Sequence, residues 1–367
     1  MKILFVITGL GVGGAERQVV DIADRLAVLG HEVKIAYLTG PSPIRPNSEK
    51  VEIVGMGMKK TVSGFFHAYF GLRNLIHSFK PAVVHSHMVH ANILTRLVRL
   101  SCRIPRLVCT AHSTNEGGKL RMLAYRLTTS LANISTNVSV EAVTSFEAQG
   151  AVARGKMIAI PNGIDVERFK SEESIRIKIR KQVGVAENEK VVIAVGRLHE
   201  AKDYPNLFRA FANVMLITNN VRLWIIGDGD LRSNLSQEVK KLGIENKVNF
   251  FGVQSKISDW MNGADVFVLS SAWEGFGLVV AEAMACEKVV VATDAGGVKE
   301  VLGDCGFLVP TRDSKLLSEA LVRALALSSS EAQALGADGR QRVLTHFSLD
   351  FVVQRWLAIY KSNLDFN

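Results

Sequence analysis

The chain has 367 residues, 48% hydrophobic and 22% charged, with 44 Lys and Arg against 35 Asp and Glu and a formal net charge of +9. That length exceeds what a single core usually serves, so two domains are expected, and the composition excludes a disordered or low-complexity chain. No run of about 18 apolar residues reads as a membrane span, and no repeat of about 20–50 residues reads as a solenoid.

Lys2 followed by Ile3–Ile7 has the charged and apolar parts of a signal peptide, but the apolar run is short and Glu16-Arg17 follows a glycine-rich loop. It is read as a first strand. Gly9-Leu-Gly-Val-Gly-Gly14 then opens a helix from about Ala15 to Leu29. The spacing Gly9-x-Gly11-x-x-Gly14 satisfies the dinucleotide fingerprint, and taken alone it gives an NAD-dependent oxidoreductase. That fingerprint also wants an acid at the end of the second strand, whereas Val33–Leu38 ends in Thr39-Gly40-Pro41. Residues 41–60 read as a loop with at most a short strand at Val51–Val54, and residues 62–79 as a helix.

A strand at Ala82–His85, a histidine-rich turn through His87 to His90 and a helix from Ala91 to about Leu100 come next. The histidine spacing does not match a zinc helix, and strand carboxyl ends line the ligand crevice of open parallel sheets. His87 and His90 are therefore read as polar contacts for a sugar or an acceptor, with no metal. Strand Arg106–Thr110 leads to His112, followed by a helix near Lys119–Leu131 and a strand near Ile134–Val140. Pro161-Asn-Gly163 is a turn signal, and the domain boundary is placed near Asp165, giving residues 1–165 and 166–367.

The second half repeats the α/β alternation. Strand Lys190–Val195 runs into a loop carrying Arg197 and Lys202, and a helix starts at Pro205. Further strands are expected at Leu223–Ile226, Val248–Gly252, Asp265–Leu269, Val289–Thr293 and Phe307–Pro310. A helix is expected at Ile257–Asn262 and a last one at about Leu349–Ser362. Between Leu269 and the helix Val279–Ala285 lies Glu274-Gly-Phe-Gly-Leu278. Gly275 and Gly277 permit close backbone approach, and the amides of Phe276, Gly277 and Leu278 sit at the positive end of a helix, which favours an anion. Glu274 and Glu282 bracket this cradle with seven residues between them. The four cysteines, Cys102, Cys109, Cys286 and Cys305, have neither paired spacing nor a histidine cluster, which points to a reducing cytoplasm.

Glu274, seven residues, Glu282, with Gly-Phe-Gly after the first acid and Glu-Ala-Met-Ala at the second, resembles the family 4 retaining glycosyltransferases. The resemblance extends over essentially the whole chain. It implies the GT-B fold: α/β, two Rossmann-like domains facing an inter-domain cleft, with residues from about 350 on returning to the first domain. It further implies that Glu282 binds the ribose diol of a nucleotide-sugar, that Glu274 and His112 contact the transferred sugar, and that Arg197 and Lys202 clamp the diphosphate. The backbone at Val253 would border the base. Gly13-Gly14-Ala-Glu-Arg17 looks like the family's first loop, with Gly14 toward the donor phosphate and Gly13 and Arg17 toward the acceptor.

The activity implied is retaining hexosyl transfer from a UDP- or GDP-linked sugar, without metal or other cofactor. A noncatalytic nucleotide-sugar-binding protein is the alternative that keeps the same C-terminal motifs. Residues 1–165 hold 19 Lys and Arg against 10 Asp and Glu, so the whole excess of positive charge lies in the proposed acceptor domain. No nucleic-acid-binding motif accompanies it. Basic residues sit beside apolar ones at Lys59-Lys60 with Phe65, Phe66, Tyr69 and Phe70, along Arg96, Arg99, Arg103 and Arg106, and along Lys119–Arg126. Solvated basic helix faces would account for this, as would an anionic membrane surface and a lipid-linked saccharide acceptor at the inner face of the cytoplasmic membrane, as in surface-polysaccharide assembly.

Overall fold

The first strand is apolar at every buried position because helices cover both of its faces. In the computed structural model, which describes residues 1–11, 13–114, 116–186 and 188–362, β1 (Lys2–Ile7) points Ile3, Phe5 and Ile7 to one side and Leu4 and Val6 to the other. The odd set packs with the helix Gly14–Val28 and the helix Leu349–Lys361, and the even set with the helices Val62–Phe79 and Val89–Val98. Such continuous runs are the mark of parallel strands buried on both sides.

The chain divides into two units: Met1–Gly163 together with the segment from Leu349 on, and Ile164–Ser348. In the first unit β1 is joined by β2 (Glu32–Tyr37), β3 (Glu52–Gly55), β4 (Val83–His87), β5 (Arg106–Thr110), β6 (Ile134–Asn137) and β7 (Met157–Ala159). The order is β3-β2-β1-β4-β5-β6-β7, with every pair parallel. The second unit contains β8 (Lys190–Val195), β9 (Val221–Ile226), β10 (Val248–Gly252), β11 (Val266–Leu269), β12 (Val289–Thr293) and β13 (Phe307–Val309). Their order is β10-β9-β8-β11-β12-β13, again parallel. Each is an α/β sheet of the Rossmann kind. The strand order reverses between β1 and β4 in one and between β8 and β11 in the other, and the loops leaving those strands are where such sheets bind ligands.

Among the elements outside the sequence reading are β7 and the helices Val140–Ala148, Glu173–Gln182, Arg232–Lys241 and Val298–Leu302. The strand expected to run to Val140 stops at Asn137, because Asn137 Oδ1 accepts the Val138 amide and takes it from the ladder. Ser139 then caps the new helix by accepting from Ala142 N.

The helix Leu349–Lys361 is built into the first unit. Val352, Val353, Trp356, Leu357 and Tyr360 are buried in the same cluster as Ile3, Phe5 and Ile7. Asp350 pairs with Arg25, and the Tyr360 hydroxyl lies 2.7 Å from His85 Nδ1. Among the described residues no helix is long and apolar enough to cross a membrane.

Candidate active site

In the second unit the loops after β8 and β11 are stitched together. Ala272 N donates to Ala201 O at 2.8 Å, and Ser270 Oγ donates to Lys202 O at 2.7 Å. The side chains repeat the join: Glu274 Oε1 accepts from Lys202 Nζ at 2.5 Å and from Ser271 Oγ at 2.7 Å. The acid and the cation that the sequence motifs single out thus form one ion pair, both partners largely buried. A pair this sheltered is screened little by salt, and the remaining ammonium protons are still donors.

Two glycines set the loop's path. Gly277 has φ +84 at the start of the helix Leu278–Ala285, and a Cβ there would lie 2.9 Å from Val298 Cγ2. Gly296, at φ +58, passes so close to Glu274 that a Cβ would fall 2.0 Å from its carbonyl oxygen. Any larger residue would push Glu274 out of place, so Gly296, which the sequence marks as a glycine turn below the ribose site, bears directly on Glu274. No side chain caps the N-terminus of the helix Leu278–Ala285, consistent with an anion cradle of backbone amides. The Phe276 ring is committed to the core, edge-on to Phe347 at 5.6 Å, which leaves its backbone for a ligand. Glu282 is 8% exposed on the same helix, Gly275 and Leu278 are half-buried, and Arg197 and Val253 are exposed.

In the first unit the sites cluster at the carboxyl ends of β1, β4 and β5, where Ile7, His87 and Thr110 are in register. β4 runs on past His85, so His87 lies inside it and is 1% exposed, its ring against those of Phe5 and His85. It is therefore no surface contact for an acceptor: the strand carries it into the core. Its Nδ1 lies 2.9 Å from His112 Nε2. Behind it, His85 Nε2 meets Thr110 Oγ1 at 2.7 Å, which meets Thr136 Oγ1 at 2.7 Å. Burial pushes the His85 and His87 imidazoles well below their usual range and takes His112 down to about 4, so all three are neutral at pH 7.

The His112 loop is held from several sides. Its amide donates to Glu116 Oε1 at 2.9 Å, and Tyr125 OH donates to Glu116 Oε2 at 2.5 Å. Ser145 Oγ and Gln149 Nε2 both donate to Thr114 O, from the helix Val140–Ala148 and its C-cap. Glu116 and this helix are therefore parts of the site that the sequence reading missed; Ser139 before the helix and Gly150 after it were the available signals. Gly13 is extended at φ −166 before the helix Gly14–Val28, and Arg17 pairs with Asp21 at 2.9 Å. A Cβ at Gly11 would meet nothing within 4 Å, and none of Gly9, Gly11, Gly13 and Gly14 has a positive φ. The chain itself crowds two of them, since a Cβ at Gly9 would lie 3.3 Å from Thr39 O and one at Gly13 2.4 Å from Glu16 Oε2, whereas the space at Gly11 suits a ligand's approach. His90 is exposed, its pKa lowered by partial burial and then by the charges of Arg121 and Lys60. Among the described residues no group of three or more His, Cys, Asp and Glu could hold a metal ion.

Residues 175–342 match the family model of glycosyl transferases group 1, and residues 12–168 match that of glycosyltransferase family 4. Alpha-maltose-1-phosphate synthase of Mycobacterium tuberculosis is 30% identical over 311 residues, 76% of this chain and 78% of that one. N-acetyl-alpha-D-glucosaminyl L-malate synthase of Bacillus anthracis is 30% identical over 185 residues, and the match spans 50% of this chain and 48% of that protein. Anabaena Alr3699/HepE in complex with UDP superposes with a TM-score of 0.85 at 23% identity, over 98% of this chain and 99% of that one. Two parallel α/β units with these loops define the GT-B class of glycosyltransferase. The chain belongs to glycosyltransferase family 4. That membership sets aside the oxidoreductase reading of the first glycine loop.

Proposed function

We propose that the protein is a retaining, metal-independent hexosyltransferase that moves a sugar from a UDP- or GDP-linked donor to a lipid-linked saccharide at the inner face of the cytoplasmic membrane. The observation that carries this reading is the Lys202–Glu274 pair beside the uncapped helix N-terminus, with Glu282 on that same helix. A solved relative in fold, Anabaena Alr3699/HepE, is a UDP complex, which supports a uridine donor.

In the reaction, the bond from the anomeric carbon to the diphosphate oxygen breaks. A bond to the acceptor hydroxyl forms on the same face, and the hydroxyl proton leaves with the diphosphate. Negative charge grows on the leaving oxygens, where Arg197, Lys202 and the amides of residues 276–278 stabilise it. Lys202 has three donors, so it can keep Glu274 while taking a phosphate oxygen. Glu274, fixed by Lys202 and Ser271, then presents its other oxygen to the sugar, and neutral His112 supplies a further hydrogen bond. The Glu282 carboxylate accepts the two ribose hydroxyls side by side.

Incubating the protein with UDP-, GDP- and ADP-sugars in EDTA tests this. Free nucleoside diphosphate is expected from one of them, slowly without acceptor. No release without added magnesium or manganese would sink the metal-independent route, and binding without any release would leave a noncatalytic nucleotide-sugar-binding protein.

The membrane half of the reading rests on two helices of the first unit. Leu120, Leu123 and Leu127 are 83%, 50% and 71% exposed, flanked by exposed Lys119, Arg121 and Arg126. Val62, Phe66 and Phe70, spaced by four, are 76%, 52% and 54% exposed after Lys59 and Lys60. The third basic run does not contribute as expected. Arg96 is fully buried, bonded to Thr128 and Ser135 and lying over Tyr125, while Arg99 and Arg106 donate to Leu131 O and Ser362 Oγ. Each surface cation contributes about 1 kcal/mol near an anionic bilayer. Flotation with phosphatidylglycerol liposomes should be salt-sensitive and should fall when Lys59, Lys60, Lys119 and Arg126 are neutralised. Unchanged or absent flotation would leave a soluble acceptor.

A further inference from the structure

His87 is placed where only a neighbouring imidazole can use it. Its ring is sealed by Phe5 and His85, its Nδ1 faces His112 Nε2 at 2.9 Å, and its Nε2 has no partner among the described residues. His112 Nδ1 likewise has no partner there. Two neutral rings joined by one hydrogen bond share a single proton at that bond, and where it sits decides which outer nitrogen carries the second proton.

We infer that His87 is a positioning residue: it donates from Nδ1 to His112 Nε2 and so fixes His112 as the Nδ1–H tautomer, a neutral donor to one oxygen of the substrate. The inference deepens the proposed function and rests on its placement of His112 against the substrate. If the proton sat instead on His112 Nε2, His87 would carry an N–H at its outer nitrogen, inside the core, on a strand that cannot shift. Orphaned buried N–H groups are rarer than under-satisfied acceptors. With the proton on His87 Nδ1, the position sealed inside β4 holds only a lone pair, and the outer N–H falls to His112 Nδ1. That atom is also buried without a partner among the described residues, but it lies on the loop after β5, at the ligand end of the sheet, where a substrate oxygen can satisfy it. A doubly protonated ring is disfavoured by burial and by two neighbouring imidazoles. The Glu116 carboxylate holds the His112 amide at 2.9 Å, so backbone and ring are both fixed before a substrate arrives. The tautomer matters chemically: Nδ1–H offers a hydrogen bond to a hydroxyl or phosphate oxygen and cannot serve there as a base.

The test is a long-range nitrogen–proton NMR spectrum of the full wild-type chain labelled with 15N-histidine at pH 7. His112 is expected with a protonated Nδ1 and a bare Nε2; the Nε2–H form would overturn the inference, and this reading needs no variant to fold. His87→Asn, whose amide nitrogen falls near the place of Nδ1, should keep release of nucleoside diphosphate from UDP-glucose or GDP-mannose within about threefold. His87→Leu should lower kcat about tenfold with little change in donor KM, the loss of one positioned hydrogen bond. Equal kcat in both variants would also overturn it. His112→Ala separates the two readings: if it leaves turnover unchanged while the tautomer is as stated, the substrate role of His112 fails and the His87 bond stands.

Discussion

A chain ending at Ser348 is expected to lose the fold of its first unit while Ile164–Ser348 stays folded. The deleted helix buries Val352, Val353, Trp356, Leu357 and Tyr360 against β1 and the helix Gly14–Val28. At about 1.5–3 kcal/mol for each fully buried apolar side chain, the loss is on the order of 10 kcal/mol, comparable to the whole stability of a domain. Polar losses add to it. His85 Nδ1 would be left inside the core without the Tyr360 hydroxyl, and Arg25 would lose Asp350. Hydrogen exchange read by mass spectrometry distinguishes the units: amides of β1, β4 and β5 should exchange rapidly and those of β8 and β11 should stay protected. In the intact chain, Trp356→Ala should cost about 3–5 kcal/mol of the same unit's stability. Undiminished protection of β1 after truncation would show that the helix merely rests on the first unit.

Strand patterns were the most legible part of the fold. β5, β8, β10 and β12 follow the sequence reading residue for residue, because a short, largely apolar run of strand length has little other use in such a chain. The helices Glu173–Gln182 and Arg232–Lys241 were not, since each is mostly polar and buries few of its residues, leaving only a weak periodic signal. At the donor motif, Glu274, Lys202 and Glu282 were marked by residue type and spacing. Their ion pair was not, because it joins loops that follow non-consecutive strands and depends on β8 and β11 lying side by side. Gly296 was marked as a glycine turn, but its closeness to the Glu274 carbonyl depends on another loop, and Glu116 was hidden because no motif marks its bond to the His112 amide four residues before it. Arg96 shows the reverse error. Its place in a basic run suggested a surface, yet Tyr125, Thr128 and Ser135 enclose it.

The central claim is that the unit Ile164–Ser348 holds a nucleoside diphosphate through Glu282, and calorimetry of the wild type and Glu282→Ala tests it most directly. The carboxylate is 8% exposed on a helix whose N-terminus carries no side-chain cap among the described residues, so on the proposed reading a ribose held there exchanges water for two charged hydrogen bonds. Each is worth about 1.5–3 kcal/mol, and the variant should therefore bind UDP or GDP roughly tenfold to a few hundredfold more weakly. The 2′-deoxy nucleotide refines the test: the wild type should bind it more weakly than the ribonucleotide, and Glu282→Ala should no longer distinguish the two. Equal dissociation constants for wild type and variant, or a variant that still discriminates against the deoxy form, would contradict the account.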